Sequence, residues 1–220
     1  REQARQSRQA GRGPDTEGRR RVLSSLRRWL RGEREPEGPP PRPPAPAQLS
    51  GRLTDRLARL CAEDASPWLL MAGTTAGPLI EGFSRLGARV TVDGEERPNL
   101  PLGYADETFD LLLGFDLLDH LDDQAGRAVG AEWARVLRRG GRAYLIARQP
   151  EATRGRPLRV EMDDTAKLWI SEREGVAGVM VNGRGNRALA TLLAPLELDS
   201  ICLRRDGMRE ILFKRAAGGA

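Results

Sequence analysis

The middle of the chain alternates between an apolar run, a helix-forming segment and a second apolar run. Residues 109–115 are almost all apolar, which is typical of a buried strand. Residues 124–138 are rich in helix formers, and the pair Gly140-Gly141 separates them from a predicted strand at residues 142–147. This order of strand, helix and strand predicts an α/β fold.

The same alternation extends towards the N-terminus. Residues 68–77 predict an apolar strand that enters a glycine-containing turn. Pro78 suits the first position of the helix that follows, because its missing N–H has no intrahelical partner there in any case.

The last third of the chain predicts short strands, a helix and a hairpin. The dipeptide Asp206-Gly207 lies between two apolar runs, which favours a tight antiparallel hairpin. The predicted elements are strands at Leu158–Met162 and 176–181, a helix at 186–195, and strands at 196–204 and 209–215.

The central stretch also carries motifs of a known family. LPLGYADETFDLLLGFDLLDHL at residues 100–121 matches a Leu-Pro-Phe…Phe-Asp strand with an acidic-His dipeptide at Asp119-His120, and RVLRRGG at residues 135–141 matches an Arg-Val-Leu-x-Pro-Gly-Gly turn. On these motifs, residues 53–215 resemble the class I methyltransferases that use S-adenosylmethionine, of the type 11-like group. The resemblance implies a Rossmann-like sheet with Arg89–Asp93 as its second strand and a closing antiparallel hairpin.

The resemblance places a cofactor loop at WLLMAGTTAG, residues 68–77, where the chain departs from the family pattern. The family has an acid before a Gly-x-Gly-x-Gly turn, and the corresponding residues here are Met71, Gly73, Thr75 and Gly77. Thr75 would fill space that glycine leaves open and would disfavour a positive φ. Met71 offers no charge to the cofactor's ammonium group. The loop therefore indicates a degenerate member of the family.

Two further acids stand where relatives contact the cofactor. Asp93 ends the second strand, where a carboxylate would accept hydrogen bonds from both ribose hydroxyls. The alternative is a solvated acid that opens the turn Asp93-Gly94. If the site is retained, the resemblance implies these cofactor-binding residues: Gly73, Thr75, Gly77, Asp93 and Asp116.

The link after the second strand is too short for the family's next unit. Only residues 94–99 separate Asp93 from the central motif, whereas relatives place a helix and a third strand there. A parallel strand needs a crossover of about a dozen or more residues, so this strand and helix are predicted to be absent. Their loss would leave the second strand at the sheet edge and remove one wall of the adenine pocket.

His120 is the single histidine of the chain and the one imidazole available as a general base. The resemblance places Asp119 and His120 near the substrate mouth. The alternative is a packed or capping histidine, with Asp119, Asp122 and Asp123 complementing the N-terminal end of a helix. The sequence identifies no catalytic residue.

Composition limits the compartment and the classes of site. Cys61 and Cys202 are too few for a disulfide framework or a metal-ligand set, so a cytoplasmic or other reducing compartment is expected, without a metal site. No apolar run reaches the length of a transmembrane helix.

Positive charge is concentrated in an N-terminal arm, residues 1–48. The arm holds 12 arginines against 6 acidic residues, whereas residues 49–220, the methyltransferase-like domain, hold 24 basic and 25 acidic residues. RRRVLSSLRRWLR at residues 19–31 predicts an amphipathic helix, and seven prolines between Pro36 and Pro46 predict an extended linker after it.

A basic amphipathic helix has three classes of target: a groove on a protein, an anionic membrane surface, or nucleic acid phosphates. The apolar face around Trp29 argues against pure phosphate binding, so a protein partner is favoured. A position peripheral to a membrane or a large complex suits the same helix. The predicted partner-binding residues are Leu26, Arg27, Arg28, Trp29, Leu30 and Arg31.

These features favour a pseudoenzyme, a methyltransferase-like domain that has lost catalysis and its cofactor and acts as a binding or scaffold subunit of a complex. The alternative is an active S-adenosylmethionine-dependent methyltransferase with a shortened pocket. Methyl transfer depends mainly on positioning, so the lack of an acid–base pair does not exclude activity.

Overall fold

The computed structural model describes residues 46–63, 66–73, 77–93 and 99–218. The strands are β1 (Ala47–Gln48), β2 (Trp68–Ala72), β3 (Arg89–Asp93), β4 (Phe109–Gly114), β5 (Leu137–Arg148), β6 (Arg154–Gly155), β7 (Leu158–Met162), β8 (Leu168–Glu172), β9 (Val179–Met180), β10 (Glu197–Leu203) and β11 (Met208–Lys214). The helices are α1 (Arg52–Glu63), α2 (Gly77–Arg85), α3 (Asp123–Val136) and α4 (Asn186–Leu192), with a short 3-10 helix at Leu117–His120. The predicted arm helix at residues 19–31 lies outside the described residues.

Six of these strands form a central sheet in the order β10-β11-β5-β4-β2-β3. β3, β2, β4 and β5 run parallel. β11 and β10 run antiparallel and form the hairpin around Asp206-Gly207. This order confirms the predicted α/β class, the Rossmann-like sheet and the closing hairpin.

β3 forms one edge of the central sheet. Its residues pair with β2 from Trp68↔Arg89 to Ala72↔Asp93. Within the described ranges, no strand pairs with its outer side. This agrees with the short link at residues 94–99, which leaves no room for a further strand with its crossover helix.

Apolar side chains fill both faces of the parallel strands, as expected when other elements cover each side of the sheet. In β2, Leu70 and Ala72 face a first core, which α3 and α4 complete. Leu69 and Met71 face a second core, which α1, α2 and a small antiparallel sheet of order β1-β8-β7 complete.

The small sheet brings together segments that are far apart in the sequence. β7 passes close to α2: a Cβ at Gly82 would lie 2.6 Å from Met162 Sδ, so the absence of a side chain permits this approach. β1 joins the sheet through the pair Ala47↔Ile170. The start of the described chain is therefore fixed to the segment that follows β5.

A buried carboxylate fixes the same N-terminal segment to the last strand. Glu210, in β11, is 2% exposed and accepts hydrogen bonds from Tyr144 Oη at 2.7 Å and Arg204 Nη1 at 2.9 Å. Both the main-chain N–H and the hydroxyl of Ser50 donate to it as well. Burial raises the pKa of a carboxyl group, but these donors outweigh burial and hold the pKa of Glu210 below its ordinary value. Burial and the negative charge of Glu210 raise the pKa of Tyr144 well above its ordinary value.

Several local features differ from the sequence predictions. α3 ends two residues earlier than predicted, because β5 begins immediately after it and Gly140, with φ +74°, lies inside that strand. β9 contains only Val179–Met180 of the predicted strand. β8 (Leu168–Glu172) was not predicted, because it is defined by its pairing with β7 rather than by a strong apolar pattern.

Several classes of feature are absent from the described part of the chain. No helix there is long and apolar enough to cross a bilayer. No group of three or more His, Cys, Asp or Glu side chains is arranged there as a metal ion would require. Cys61 and Cys202 are both free thiols.

Candidate functional site

The carboxyl ends of β2, β3 and β4 meet at one edge of the central sheet. Ala72, the last residue of β2, pairs with Asp93 on one side and with Gly114 on the other. Gly73 follows directly, and its N–H donates to Asp93 O at 3.3 Å. Asp116 lies two residues beyond β4. The structure therefore brings Gly73, Asp93 and Asp116 to the same edge of the sheet. Thr75 lies outside the described residues.

The two predicted loop glycines differ in how strongly the backbone needs them. Gly73 has φ +96°, a conformation that side chains rarely adopt. Gly77 begins α2 without a positive φ, and a Cβ there would meet no atom within 4 Å. The sharp turn after β2 is thus retained, while glycine at position 77 is not required for packing.

Met71 takes the place of the family's acid and has a structural role. Its side chain is fully buried in the second core, together with residues of α1 and α2. The end of β2 therefore presents no charged side chain to a ligand at this position. The structure gives a physical reason for the substitution, since a carboxylate in this apolar core would carry a large desolvation cost.

Tyr104 is a site residue that the sequence analysis missed. Its ring packs edge-on against Phe109, with centroids 5.0 Å apart. Burial, and after it the negative charge of Asp93, raises the pKa of the Tyr104 phenol. Tyr104 lies in the motif at residues 100–121, and its aromatic side chain there is the one signal that could have identified it.

Asp116 is engaged in holding neighbouring segments together. Its carboxylate is buried, accepts a hydrogen bond from Leu158 N at 2.8 Å, and lies 3.1 Å from His120 Nε2. The hydrogen bond to Asp116 outweighs burial and raises the pKa of His120. The 3-10 helix places the predicted pair Asp119 and His120 next to Asp116. The imidazole of His120 contacts the Asp116 carboxylate, which also accepts from Leu158 N in β7.

Asp119 is more deeply buried than either sequence interpretation supposed. It is 1% exposed, and its Oδ2 accepts from Arg148 N at 2.9 Å. Burial raises the pKa of Asp119 to about 6, although the Arg148 N–H opposes the shift. Asp119 therefore does not complement a helix end, because the 3-10 helix turns it inward. Asp122 has that role, since its Oδ1 accepts from Ala125 N at 2.8 Å at the start of α3.

Three buried arginines cover the residues around Asp119. Arg184 donates to Leu118 O at 2.5 Å and to Leu121 O at 2.6 Å. Arg209 donates to the carbonyls of Arg148 and Arg184. Arg148 lies 3.5 Å from Glu172 and bonds the carbonyl of Arg156. Buried arginine side chains thus lie against the residues predicted at the substrate mouth and bind the protein's own main chain. Sequence reasoning missed these arginines because arginine is abundant throughout this chain.

Comparisons with known proteins agree with this architecture. Residues 50–145 match a family model described as a methyltransferase domain. A structure of a SAM-dependent methyltransferase from Methanosarcina mazei is 14% identical, with a TM-score of 0.51, and the alignment covers 78% of this chain and 100% of that one. A second, from Mesorhizobium loti, is 13% identical, with a TM-score of 0.49 and coverage of 73% and 96%. No protein of curated function matches the sequence.

Proposed function

We propose that this chain, whose residues 50–145 match a methyltransferase-domain model, has lost methyl transfer and serves as a binding subunit of a complex. The observation that carries this proposal is the structural use of Asp116 and Asp119. Both carboxylates are buried and bonded to main-chain N–H groups, Asp119 to that of Arg148 at the end of β5 and Asp116 to that of Leu158 in β7. Carboxylates that are already bonded to the protein's own main chain are poorly placed to contact a methyl acceptor.

Arginine side chains beside the predicted substrate mouth support the same conclusion on steric grounds. A methyl acceptor would have to reach the cofactor across residues 116–120, where relatives of this fold have their substrate mouth. Here Arg148 and Arg184 lie over those residues, each at most 9% exposed at its side chain. Methyl transfer needs close and aligned approach of the two reacting atoms, so side chains that obstruct this approach remove the main source of rate acceleration.

The cofactor residues fit S-adenosylmethionine only in part. Gly73 retains the turn, and Asp93 stands at the end of β3. Met71 supplies no acid for the ammonium group, and Asp116 is bonded to Leu158. Because the adenine side ends at the edge strand β3, the described residues offer fewer contacts than the full family sheet would.

A second candidate function is an active S-adenosylmethionine-dependent methyltransferase. The position of Asp93 at the end of β3 favours it, because a carboxylate there is a suitable acceptor for the two hydroxyl groups of a ribose. In that case Gly73, Gly77 and Asp93 would hold the cofactor. No residue of the described site identifies the methyl acceptor.

Calorimetric titration of the full chain with S-adenosylmethionine and S-adenosylhomocysteine distinguishes the two candidates. We expect no binding of either compound at micromolar concentrations, because the acid of the loop is replaced and buried arginines lie against the predicted substrate mouth. A micromolar dissociation constant that is lost in Asp93→Ala would contradict the proposal and support the active enzyme. Asp110→Ala is the matched control, since Asp110 bonds Trp68 N and Arg138 at the opposite end of the strands.

The partner of the proposed subunit is a protein bound through the N-terminal arm. The support for this is the pattern of arginines around an apolar stripe at residues 19–31. Loss of methyl transfer does not depend on docking of the arm, so a separate experiment tests each.

A further inference from the structure

The outer side of β3 carries main-chain groups that no described strand pairs with. Arg89 N donates to Pro67 O at 2.9 Å, so Arg89 turns its main-chain groups towards β2. These groups alternate in direction along a strand, and those of Val90 and Val92 therefore point away from β2. An edge of this kind is a template for pairing with another strand.

The sequence of β3 is complementary to itself. When two copies of RVTVD are paired antiparallel about Thr91, Val90 lies opposite the partner's Val92 and Arg89 lies opposite the partner's Asp93. In this register the outward groups of Val90 and Val92 exchange N–H···O bonds with the partner. The hydrogen bonds and the opposite charges thus favour the same alignment.

We propose that two copies of this chain form a dimer in which β3 pairs antiparallel with β3 of the second copy. The contact is isologous, so each copy offers the same surface and the central sheet continues across a two-fold axis. The proposal rests on the main chain and side chains of β3 and not on the proposed loss of methyl transfer; Asp93 is the residue that the dimer contact shares with the candidate cofactor site.

The two faces of β3 both suit this arrangement. On one face, Arg89 is exposed, and Thr91 Oγ1 accepts a hydrogen bond from Trp68 Nε1 at 2.8 Å. This bond holds the Thr91 side chain on the side of the sheet where Trp68 lies. On the other face, apolar side chains are only partly buried at the rim of the second core: Ile80, Leu86, Val90 and Val92. A second copy would cover this apolar rim and remove it from water.

The expected dimer is weak and concentration-dependent. β3 has five residues, so the contact is small beside the interface of an obligate dimer. Charge pairing contributes, since an Arg–Asp pair closes each end of the strand pair. We therefore expect dissociation to increase with salt as well as with dilution.

Charge reversal tests the register directly. Sedimentation of the full chain over a concentration series would compare the wild type with Arg89→Glu, with Asp93→Arg and with the double variant. Each single change places like charges opposite each other at both ends, and we expect dimer affinity to fall by about tenfold or more. The double variant restores opposite charges and should recover the dimer.

A main-chain variant provides a second and independent test. Val92→Pro removes an N–H that points outward and leaves the bonds to β2 intact, so it should abolish the dimer while the monomer stays folded by circular dichroism. In the wild type, the amides of Val90 and Val92 should exchange with solvent more slowly as concentration rises. A wild type that stays monomeric throughout, or a dimer that these variants leave unchanged, would overturn the proposal.

Discussion

At the scale of single residues, Asp119 and His120 make stability depend on pH in the same direction. The pKa of Asp119 is about 6 in the fold and 3.8 ordinarily, so its stabilising contribution is complete below about pH 3.8 and is lost as pH rises through about 6. The hydrogen bond to Asp116 raises the pKa of His120 above 6.5. The contribution of His120 is therefore present below pH 6.5 and is lost as pH rises through the raised value.

We expect the free energy of unfolding to be lower at pH 8 than at pH 5 by roughly 1 to 2 kcal/mol, because the folded protein releases the protons of Asp119 and His120 in this range. Urea unfolding at a series of pH values measures this. Asp119→Asn should flatten the part of the profile below about pH 6, and His120→Gln should flatten the part above it. A profile of the wild type that rises with pH would contradict the assignment.

The positions of these acids could be predicted from the sequence, but their roles could not. The motif at residues 100–121 places Asp116, Asp119 and His120 just after β4, as the structure confirms. Asp116 binds Leu158 N, which lies 42 residues further along the chain, and Asp119 binds Arg148 N, which lies 29 residues further along. A local sequence pattern does not predict which distant main-chain N–H groups these carboxylates bind.

At the scale of elements, Glu210 and its donors Tyr144, Arg204 and Ser50 form a cluster that joins β11, β5 and the segment after β1. We expect Glu210→Gln to destabilise the fold by about 2 kcal/mol, because a neutral amide would replace the buried carboxylate that accepts from Tyr144 and Arg204, while Arg204 keeps its pair with Asp206. Denaturant unfolding measures the change. Glu197→Gln on the adjacent β10 is the matched control, since its pair with Lys214 is half exposed and should contribute less than about 1 kcal/mol. Equal effects of the two variants would show that burial of the cluster does not matter.

Elements with a strong local pattern were predicted closely, and those defined by distant partners were not. β3 and β7 have the predicted bounds, because each is a short run with a clear turn or charge at its end. β1 and β8 were missed. β1 has two residues, and its existence depends on pairing with β8, more than a hundred positions later.

At the scale of the whole molecule, the last residues of the predicted arm belong physically with the domain. The sequence analysis placed the boundary after residue 48, whereas β1 already pairs with β8 at Ala47. We therefore expect deletion of residues 1–45 to leave the melting temperature unchanged. Deletion of residues 1–50 should cost about 2 to 3 kcal/mol, because it removes β1 and both hydrogen bonds from Ser50 to Glu210. Thermal unfolding of the two truncated chains compares them, and equal melting temperatures would show that β1 is dispensable.

The arm itself is proposed to bind a partner without contributing to folding. Replacing Leu26, Trp29 and Leu30 with Ser should abolish association with a protein partner, because large apolar side chains dominate docking into a groove. Charge reversal at Arg27, Arg28 and Arg31 should matter more if phosphates or anionic lipids are the target. Pull-downs at low and high salt separate these cases, since binding to polyanions collapses with salt and groove docking persists. Both variants keep the domain from residue 46 onward unchanged, so equal binding by wild type and both variants would leave the arm without the proposed role.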